Sequence, residues 1–267
     1  MNPDLWIIDT FTPVPFRGNA AAVSVLDAFP TEEKMQMTAL LANLSETAFV
    51  VPKGKSEYDL RWFTPDVEVD LSGHATLATA HTLHKMDFAQ AGDTLRFHTK
   101  SGKLTATILD NGEIELDFPL LPGEPVELDP ALKALGVKPL AIQRNREDDL
   151  VEVENAEILL GCTPDFKQLV NMQMRGVIVT TQDAPEGFDF ASRYFAPKIG
   201  VKEDPVTGSA HCFLAPYWQK KLGKSKFRAY QASIGKGELG VEIKGDRVLI
   251  TGKCITSIRG SIPEIAF

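Results

Sequence analysis

Along the chain, short stretches in which apolar and polar residues alternate give way to longer stretches that are apolar on most faces. Alternation with a period of two marks a half-buried strand. It runs through Asp4-Leu-Trp-Ile-Ile-Asp-Thr-Phe11, Lys103-Leu-Thr-Ala-Thr-Ile-Leu109 and Glu113-Ile-Glu-Leu-Asp-Phe118. Between the last two, Asp110-Asn-Gly112 is a hairpin signal, because Asn and Gly accept the positive φ that a tight two-residue turn requires. Lys244-Gly-Asp246 stands in the same position before Arg247-Val-Leu-Ile-Thr251. Two helices are expected, from Gly73 to about Lys85 and from Gly208 to about Leu222. Both carry Ala, Leu and aromatic residues on most faces, which marks a buried helix. A third, amphipathic helix is expected over 31–43, opened by a threonine cap with two glutamates in its first turn. The segment from Pro119 to Pro130 holds four prolines and reads as a linker.

The chain also repeats itself. Arg61-Trp-Phe-Thr-Pro65 returns as Arg193-Tyr-Phe-Ala-Pro197, and Ser72-Gly-His-Ala75 returns as Thr207-Gly-Ser-Ala210. Gly102-x-Leu104-x-x-x-Ile108-x-x-Asn111 returns as Gly237-x-Leu239-x-x-x-Ile243-x-x-Asp246. The offset is 132 residues for the first pair and 135 for the others, so one three-residue insertion reconciles all three. The expectation is two similar domains, residues 1–118 and 119–267, with the final strand a candidate to return to the first half. Sheets with few helices, each half wrapping one apolar helix, make the fold class α+β.

Composition narrows the function. With 36 acidic against 28 basic residues the formal charge is −8 and the pI about 5.2, which argues against a nucleic-acid partner but leaves room for a local pocket that takes a small acid. Hydrophobic residues at 43% are ordinary for a globular chain of 267 residues, long enough to bury a core without disulfides or metals. Cys162, Cys212 and Cys254 are odd in number and widely spaced. They suggest neither a disulfide framework nor a zinc site, and each is a small buried hydrophobe or a reactive thiol. The start, Met1-Asn-Pro-Asp-Leu-Trp, has no basic segment leading into a long apolar run, and no apolar run is long enough for a membrane span. A cytoplasmic protein with no membrane partner is the expectation.

The two buried helices both start on a small hydroxyl residue and a glycine, Ser72-Gly73-His74 and Thr207-Gly208-Ser209. A helix start leaves amide N–H groups unpaired and partly positive, and glycine lets a ligand approach the backbone, so such starts suit a carboxylate or phosphate. Ser72 and Thr207 alternatively do no more than cap their helices; symmetric halves would instead aim both starts at one anionic molecule held in a cleft between them. Acid–base groups stand nearby. Glu46, between the amphipathic helix and the apolar run Phe49-Val-Val51, is either a solvated strand-start residue or a carboxyl whose pKa desolvation raises towards that of a general acid or base. His74 and Asp204 are substrate contacts, or else a satisfied polar residue and a charge favoured by the helix dipole. Asn19, after Gly18, is a turn residue or an amide ligand. His81, His84 and His98 form no metal-ligand pattern. Dinucleotide, P-loop, nucleophile-elbow and zinc-hydrolase signatures are all lacking, so neither a cofactor nor a metal is expected.

Phe16-Arg-Gly-Asn-Ala-Ala-Ala-Val23, Leu44-Ser-Glu-Thr-Ala-Phe49, Arg61-Trp-Phe-Thr-Pro65, Gly73-His-Ala-Thr-Leu-Ala78 and Glu203-Asp-Pro-Val-Thr-Gly-Ser-Ala-His211 together resemble the PhzF-like phenazine-biosynthesis family, from the first strand to the last. The resemblance implies a diaminopimelate epimerase-like fold, two domains each with a sheet rolled around a central helix and the active site in the cleft between them. In the family's characterised isomerase, the glutamate of the Ser-Glu-Thr motif moves a proton between carbons of a cyclic acid. By that resemblance Glu46 is the acid/base, and Asn19, Gly73, His74, Asp204, Gly208 and Ser209 belong to the substrate site. A homodimer is plausible from the family. Relatives commonly carry cysteine where this chain has Ser72, and the epimerase relatives use a thiol at each helix start. Neither start offers a thiol here, which argues against a two-thiol racemase and for a one-carboxyl isomerase. Two other readings stay open: a small-acid binding or regulatory protein without turnover, and an amino-acid epimerase that would need a base opposite Glu46.

Overall fold

A computed structural model describes residues 4–262. The chain forms two compact units, Met1–Asp117 with Thr251–Phe267, and Phe118–Ile250.

In unit 1 the chain runs through β1 (Asp4–Thr10), β2 (Asn19–Val25), α1 (Glu32–Ala42), β3 (Glu46–Gly54), β4 (Glu57–Phe63), β5 (Glu68–Val69), α2 (Gly73–Lys85), β6 (Thr94–Thr99), β7 (Gly102–Ile108) and β8 (Ile114–Pro119). Unit 2 continues through β9 (Glu124–Pro125), β10 (Ala141–Arg144), β11 (Asp148–Glu152), the short helices α3 (Ala156–Gly161) and α4 (Phe166–Leu169), β12 (Gly176–Thr181), β13 (Phe190–Ala196), β14 (Val201–Asp204), α5 (His211–Leu222), β15 (Lys226–Gln231), β16 (Gly237–Lys244) and β17 (Arg247–Gly252). The last strand, β18 (Cys254–Ser261), lies in unit 1 and pairs antiparallel with β1.

The repetition in the sequence is a repetition of strand pairing. In unit 1, β1–β2 is antiparallel, β2–β3 parallel, β3–β4 and β4–β5 antiparallel, β4–β6 parallel and β6–β7 antiparallel. In unit 2, β10–β11, β11–β12, β12–β13, β13–β14, β13–β15 and β15–β16 repeat those senses in that order. The side chains repeat as well. Arg61 grips Glu68 with Nε and Nη2, both at 2.7 Å, and stacks over the Phe63 ring at 5.2 Å. Arg193 grips Glu203 at 2.8 and 2.9 Å and stacks over Phe195 at 4.9 Å. The three-residue insertion falls between these partners, where Pro197–Ile199 makes a short 3-10 turn. Two parallel N–H···O bonds fix both side chains in one plane, so each fork ties a short strand, β5 or β14, to its neighbour just before the buried helix.

Both central helices are enclosed. In α2 every residue from His74 to Leu83 is buried, and the helix packs against β1, β2, β3, β7 and β18. Its buried hydroxyls have no water to turn to, so Thr76, Thr79 and Thr82 donate to the carbonyls one turn back, Ser72, Ala75 and Ala78, at 2.6, 2.7 and 3.0 Å. In α5 the run from His211 to Trp218 is buried. Pro216 inside that helix has no N–H for the Cys212 carbonyl, which instead accepts the Leu121 amide at 3.0 Å. The Pro119–Pro130 stretch is thus held to α5 and carries β9, which pairs with β10.

Three local expectations are corrected. The helix over 31–43 is α1, Glu32–Ala42, and Thr31 precedes it without a side-chain cap bond. It is not amphipathic: it lays Met35 and Ala39 on Phe49 and Phe63, but also exposes Met37, Leu40 and Leu41. The helix expected from Gly208 begins at His211. Residues before it form successive i→i+3 turns, with the amides of His211, Cys212 and Phe213 bonded to the carbonyls of Gly208, Ser209 and Ala210, a tight entry common where a helix start is crowded. The strand expected over Asp4–Phe11 ends at Thr10 because Phe11 takes a φ of 58°.

The connection from β1 to β2 is tightly constrained. Gly18 sits at φ 72°, and a Cβ there would lie 1.9 Å from the Thr10 carbonyl oxygen. Gly18→Ala is therefore expected to cost roughly 2–4 kcal/mol of stability, read as a lowered urea midpoint with unchanged slope. A loss below about 0.5 kcal/mol would mean that the turn relaxes around the methyl group.

Candidate active site

The parallel pairing of β2 with β3 sets Ala21 beside Glu46, so Asn19 and Glu46 stand at the starting ends of neighbouring strands and on one face. That face receives α2. At its first turn His74 places Nε2 2.9 Å from Glu46 Oε2, with 9% and 18% of the two side chains exposed. Both atoms are fully buried and within hydrogen-bonding distance of each other. A carboxylate oxygen has more than one lone pair, so Oε2 keeps acceptor capacity towards a third group. Asn19 is buried, gives its carbonyl to the Thr10 hydroxyl at 2.8 Å and accepts from the Ser45 hydroxyl with Oδ1 at 3.2 Å. Unit 1 thus gathers Asn19, Glu46, Gly73 and His74, joined by Ser45, which the sequence offered only as a neighbour of Glu46.

Ser72 caps α2, accepting from the Ala75 amide at 3.4 Å. Thr207, its counterpart, does something else. Its hydroxyl donates to Asp204 Oδ2 at 2.6 Å and its amide to Gln231 Oε1 at 2.7 Å. The same Gln231 donates through Nε2 to the Asp204 carbonyl at 2.8 Å. Unit 2 therefore gathers Asp204 and Thr207 around a fully buried glutamine, with Gly208 and Ser209 following Thr207 in the chain. Gln231 was legible only as the third inward position of β15, after Phe227 and Ala229, where a polar side chain must have a buried purpose.

Both helix starts also share a device that motif reading passed over. His211 Nδ1 donates to the Thr207 carbonyl at 3.0 Å, while Thr76 Oγ1 donates to the Ser72 carbonyl at 2.6 Å. In a trans peptide the carbonyl and the following N–H point in opposite directions. Holding each carbonyl towards its helix therefore turns the Gly208 and Gly73 amides away from it, and polarises them. These amides are donors suited to a carboxylate or to negative charge that develops on one.

The thiols lie outside this chemistry. Burial pushes Cys162 up to about 11 and Cys212 up to about 12, and raises Cys254 further, so all three remain protonated. Among the described residues no group of His, Cys, Asp and Glu could hold a metal ion, and no helix is long and apolar enough to cross a membrane.

The profile of the phenazine biosynthesis-like protein family matches residues 8–260. A relative from Halalkalibacterium halodurans, named an uncharacterized isomerase, is 46% identical over 265 residues, which are 98% of this chain and 99% of that one. The crystal structure of a PhzF-family phenazine biosynthesis protein from Enterococcus faecalis superposes with a TM-score of 0.92 at 40% identity, covering 98% of this chain and all of the other. A hydroxyproline epimerase from Agrobacterium vitis, at 12% identity and a TM-score of 0.59, shares the fold alone. The α+β fold is therefore the diaminopimelate epimerase-like one.

Two buried histidines give a pH signature. Burial lowers both His81 and His211 from 6.5 to about 4. The unfolded chain then binds more protons than the folded one between those values, so stability is complete above pH 6.5 and falls as the pH drops towards 4. The loss amounts to at most about 3 kcal/mol for each histidine. Urea unfolding across this range should show the decline, and His211→Leu should flatten it. An equal slope in that variant would assign the decline to other groups.

Proposed function

The chain belongs to the phenazine biosynthesis-like protein family, and from that premise we propose that it is a cofactor-independent isomerase of a small carboxylated metabolite, with Glu46 as the group that moves the proton. The observation that carries this reading is the 2.9 Å contact between Glu46 Oε2 and His74 Nε2 on the face shared with Asn19. A proton shift between carbons needs one group that is a base in the first half of the reaction and an acid in the second. A carboxylate at the buried end of a strand, touching an imidazole that can balance its charge, meets that need.

In the proposed step Glu46 takes a proton from a carbon next to an unsaturated system that ends in the substrate carboxyl. The C–H electron pair moves into that system and onto the carboxyl oxygens. The new carboxylic acid then returns the proton at the conjugated position, and the double bond shifts. The amide of Gly73 holds the carboxylate and the charge that develops on it, and Asn19 and His74 orient the substrate; in unit 2 the Gly208 amide, with Asp204 and Ser209, is a second group suited to an anion. The chain's own charge of −8 makes such local donors necessary for any anionic substrate. The relatives' printed name, isomerase, agrees with this chemistry, and the protonated thiols favour a carboxylate as the acting group.

The test is deuterium incorporation in heavy water, followed by mass spectrometry across small cyclic and unsaturated acids. Wild-type protein should label its substrate, and Glu46→Gln should lower the rate at least 100-fold while keeping the melting temperature. Labelling that survives in Glu46→Gln would remove Glu46 from the mechanism. A tightly held acid recovered without exchange would favour a binding protein instead.

A further inference from the structure

The turn from β1 to β2 reaches the same end of the sheet as Glu46, since it delivers Asn19, and it is built in a way that ordinary packing does not require. Of the six described non-glycine residues with positive φ, two lie in this eight-residue connection, Phe11 and Phe16. Phe16, at φ 62°, is held there: its amide donates to the buried Asp9 carboxylate at 2.6 Å, and Asp9 is braced by a hydrogen bond from the Ser257 hydroxyl. Thr12 closes the turn from within, accepting from the Val14 amide at 3.0 Å, and its own amide donates to the Lys253 carbonyl at 3.0 Å. All this constraint presents a phenylalanine ring to solvent at 83% exposure. Arg17 beside it is also exposed and forms no ion pair or hydrogen bond among the described residues. A bulky residue held in the left-handed region costs stability, and such costs persist where function uses them.

Arg17 is two residues from Asn19, so their Cα atoms lie within roughly 7 Å, a gap that an arginine side chain spans. The Gly73 amide already serves one carboxylate in the reading above, on which this inference rests; the Arg17 cation then has a second anionic group to meet. We propose that Phe16 and Arg17 form a rigid selecting lip beside the Glu46–His74 pair. Phe16 covers the flat apolar body of the substrate and Arg17 takes an anionic group remote from the one held by the Gly73 amide. The substrate class is accordingly a flat acid with two anionic groups.

Binding can test this without turnover. Benzoate supplies a ring with one carboxylate, isophthalate a ring with two, and glutarate two carboxylates without a ring. Each is titrated by NMR against wild-type protein, Arg17→Gln, Phe16→Asn and Glu46→Gln. Isophthalate should bind wild type most tightly. Arg17→Gln should weaken isophthalate at least about tenfold and leave benzoate unchanged. Phe16→Asn, which adopts positive φ readily, should weaken both ring acids, spare glutarate and raise the melting temperature. Glu46→Gln should keep the wild-type order of affinities, so a failure of the catalytic assignment shows in deuterium exchange and a failure of the lip shows here. Isophthalate that does not bind wild type, or that binds Arg17→Gln as tightly as wild type, overturns the proposal. So does Phe16→Asn with unchanged affinity for the ring acids.

Discussion

A helix apolar on most faces has to be enclosed, and enclosing it buries its amino end. The first amides of any helix lack partners within the helix, and leaving such donors dry costs on the order of 1–3 kcal/mol each. Much of the molecule answers that cost. The strands around α2 supply the apolar enclosure, Ser72 accepts from one amide, and Thr76 holds the carbonyl that precedes Gly73. In unit 2 the entry tightens into i→i+3 turns, Gln231 accepts the Thr207 amide, and His211 takes the part of Thr76. In both units the glycine amides are the donors these arrangements turn outwards. The constraint that shapes the fold also leaves backbone donors of the kind that suit an anion.

The units have kept the frame and changed the chemistry. Strand senses, the arginine–glutamate fork and the ring beneath each arginine repeat closely. At the helix starts they part: unit 1 sets a histidine against a glutamate, whereas unit 2 ties an aspartate to a threonine and a glutamine. A group already committed to internal hydrogen bonds is suited to positioning rather than to accepting a proton from carbon. Unit 1 thus carries the acid–base contact and unit 2 the more fully bonded polar cluster.

How far this was legible in the sequence depended on whether a feature was local or repeated. The buried helix over Gly73–Lys85, the hairpin at Asp110-Asn-Gly112 and the strand after it follow from period and turn chemistry, and the structure reproduces them. The equivalence of the halves was visible because it left three motifs in register. Glu46, His74 and Asn19 stood out by their motifs, but their meeting depends on β2 running parallel to β3, which no local pattern states. The start of α5 was misplaced because Thr207-Gly208 looks like a cap, and only Asp204 and Gln231, distant in sequence or on another strand, show where that hydroxyl and amide go. The exposed face of α1 was missed because Met37, Leu40 and Leu41 sit at helical spacing, as core residues do.

Neither Ser72-Gly73 nor Thr207-Gly208 carries a thiol, which bears on stereochemistry as well as on identity. Two opposed bases remove a proton from one face of a carbon and deliver another to the opposite face, which inverts the centre. A single carboxyl can return a proton only to the face it already occupies. Its productive outcome is then a change of position, because returning the proton to the same carbon restores the starting material. Transfer along a conjugated system makes the return productive, and the charge that appears on the substrate carboxyl in passing is what polarised backbone amides stabilise best. The contact of Glu46 with His74 suits the proposed movement of a double bond, whereas Cys162 and Cys212, buried and raised in pKa, do not suit inversion by paired thiols.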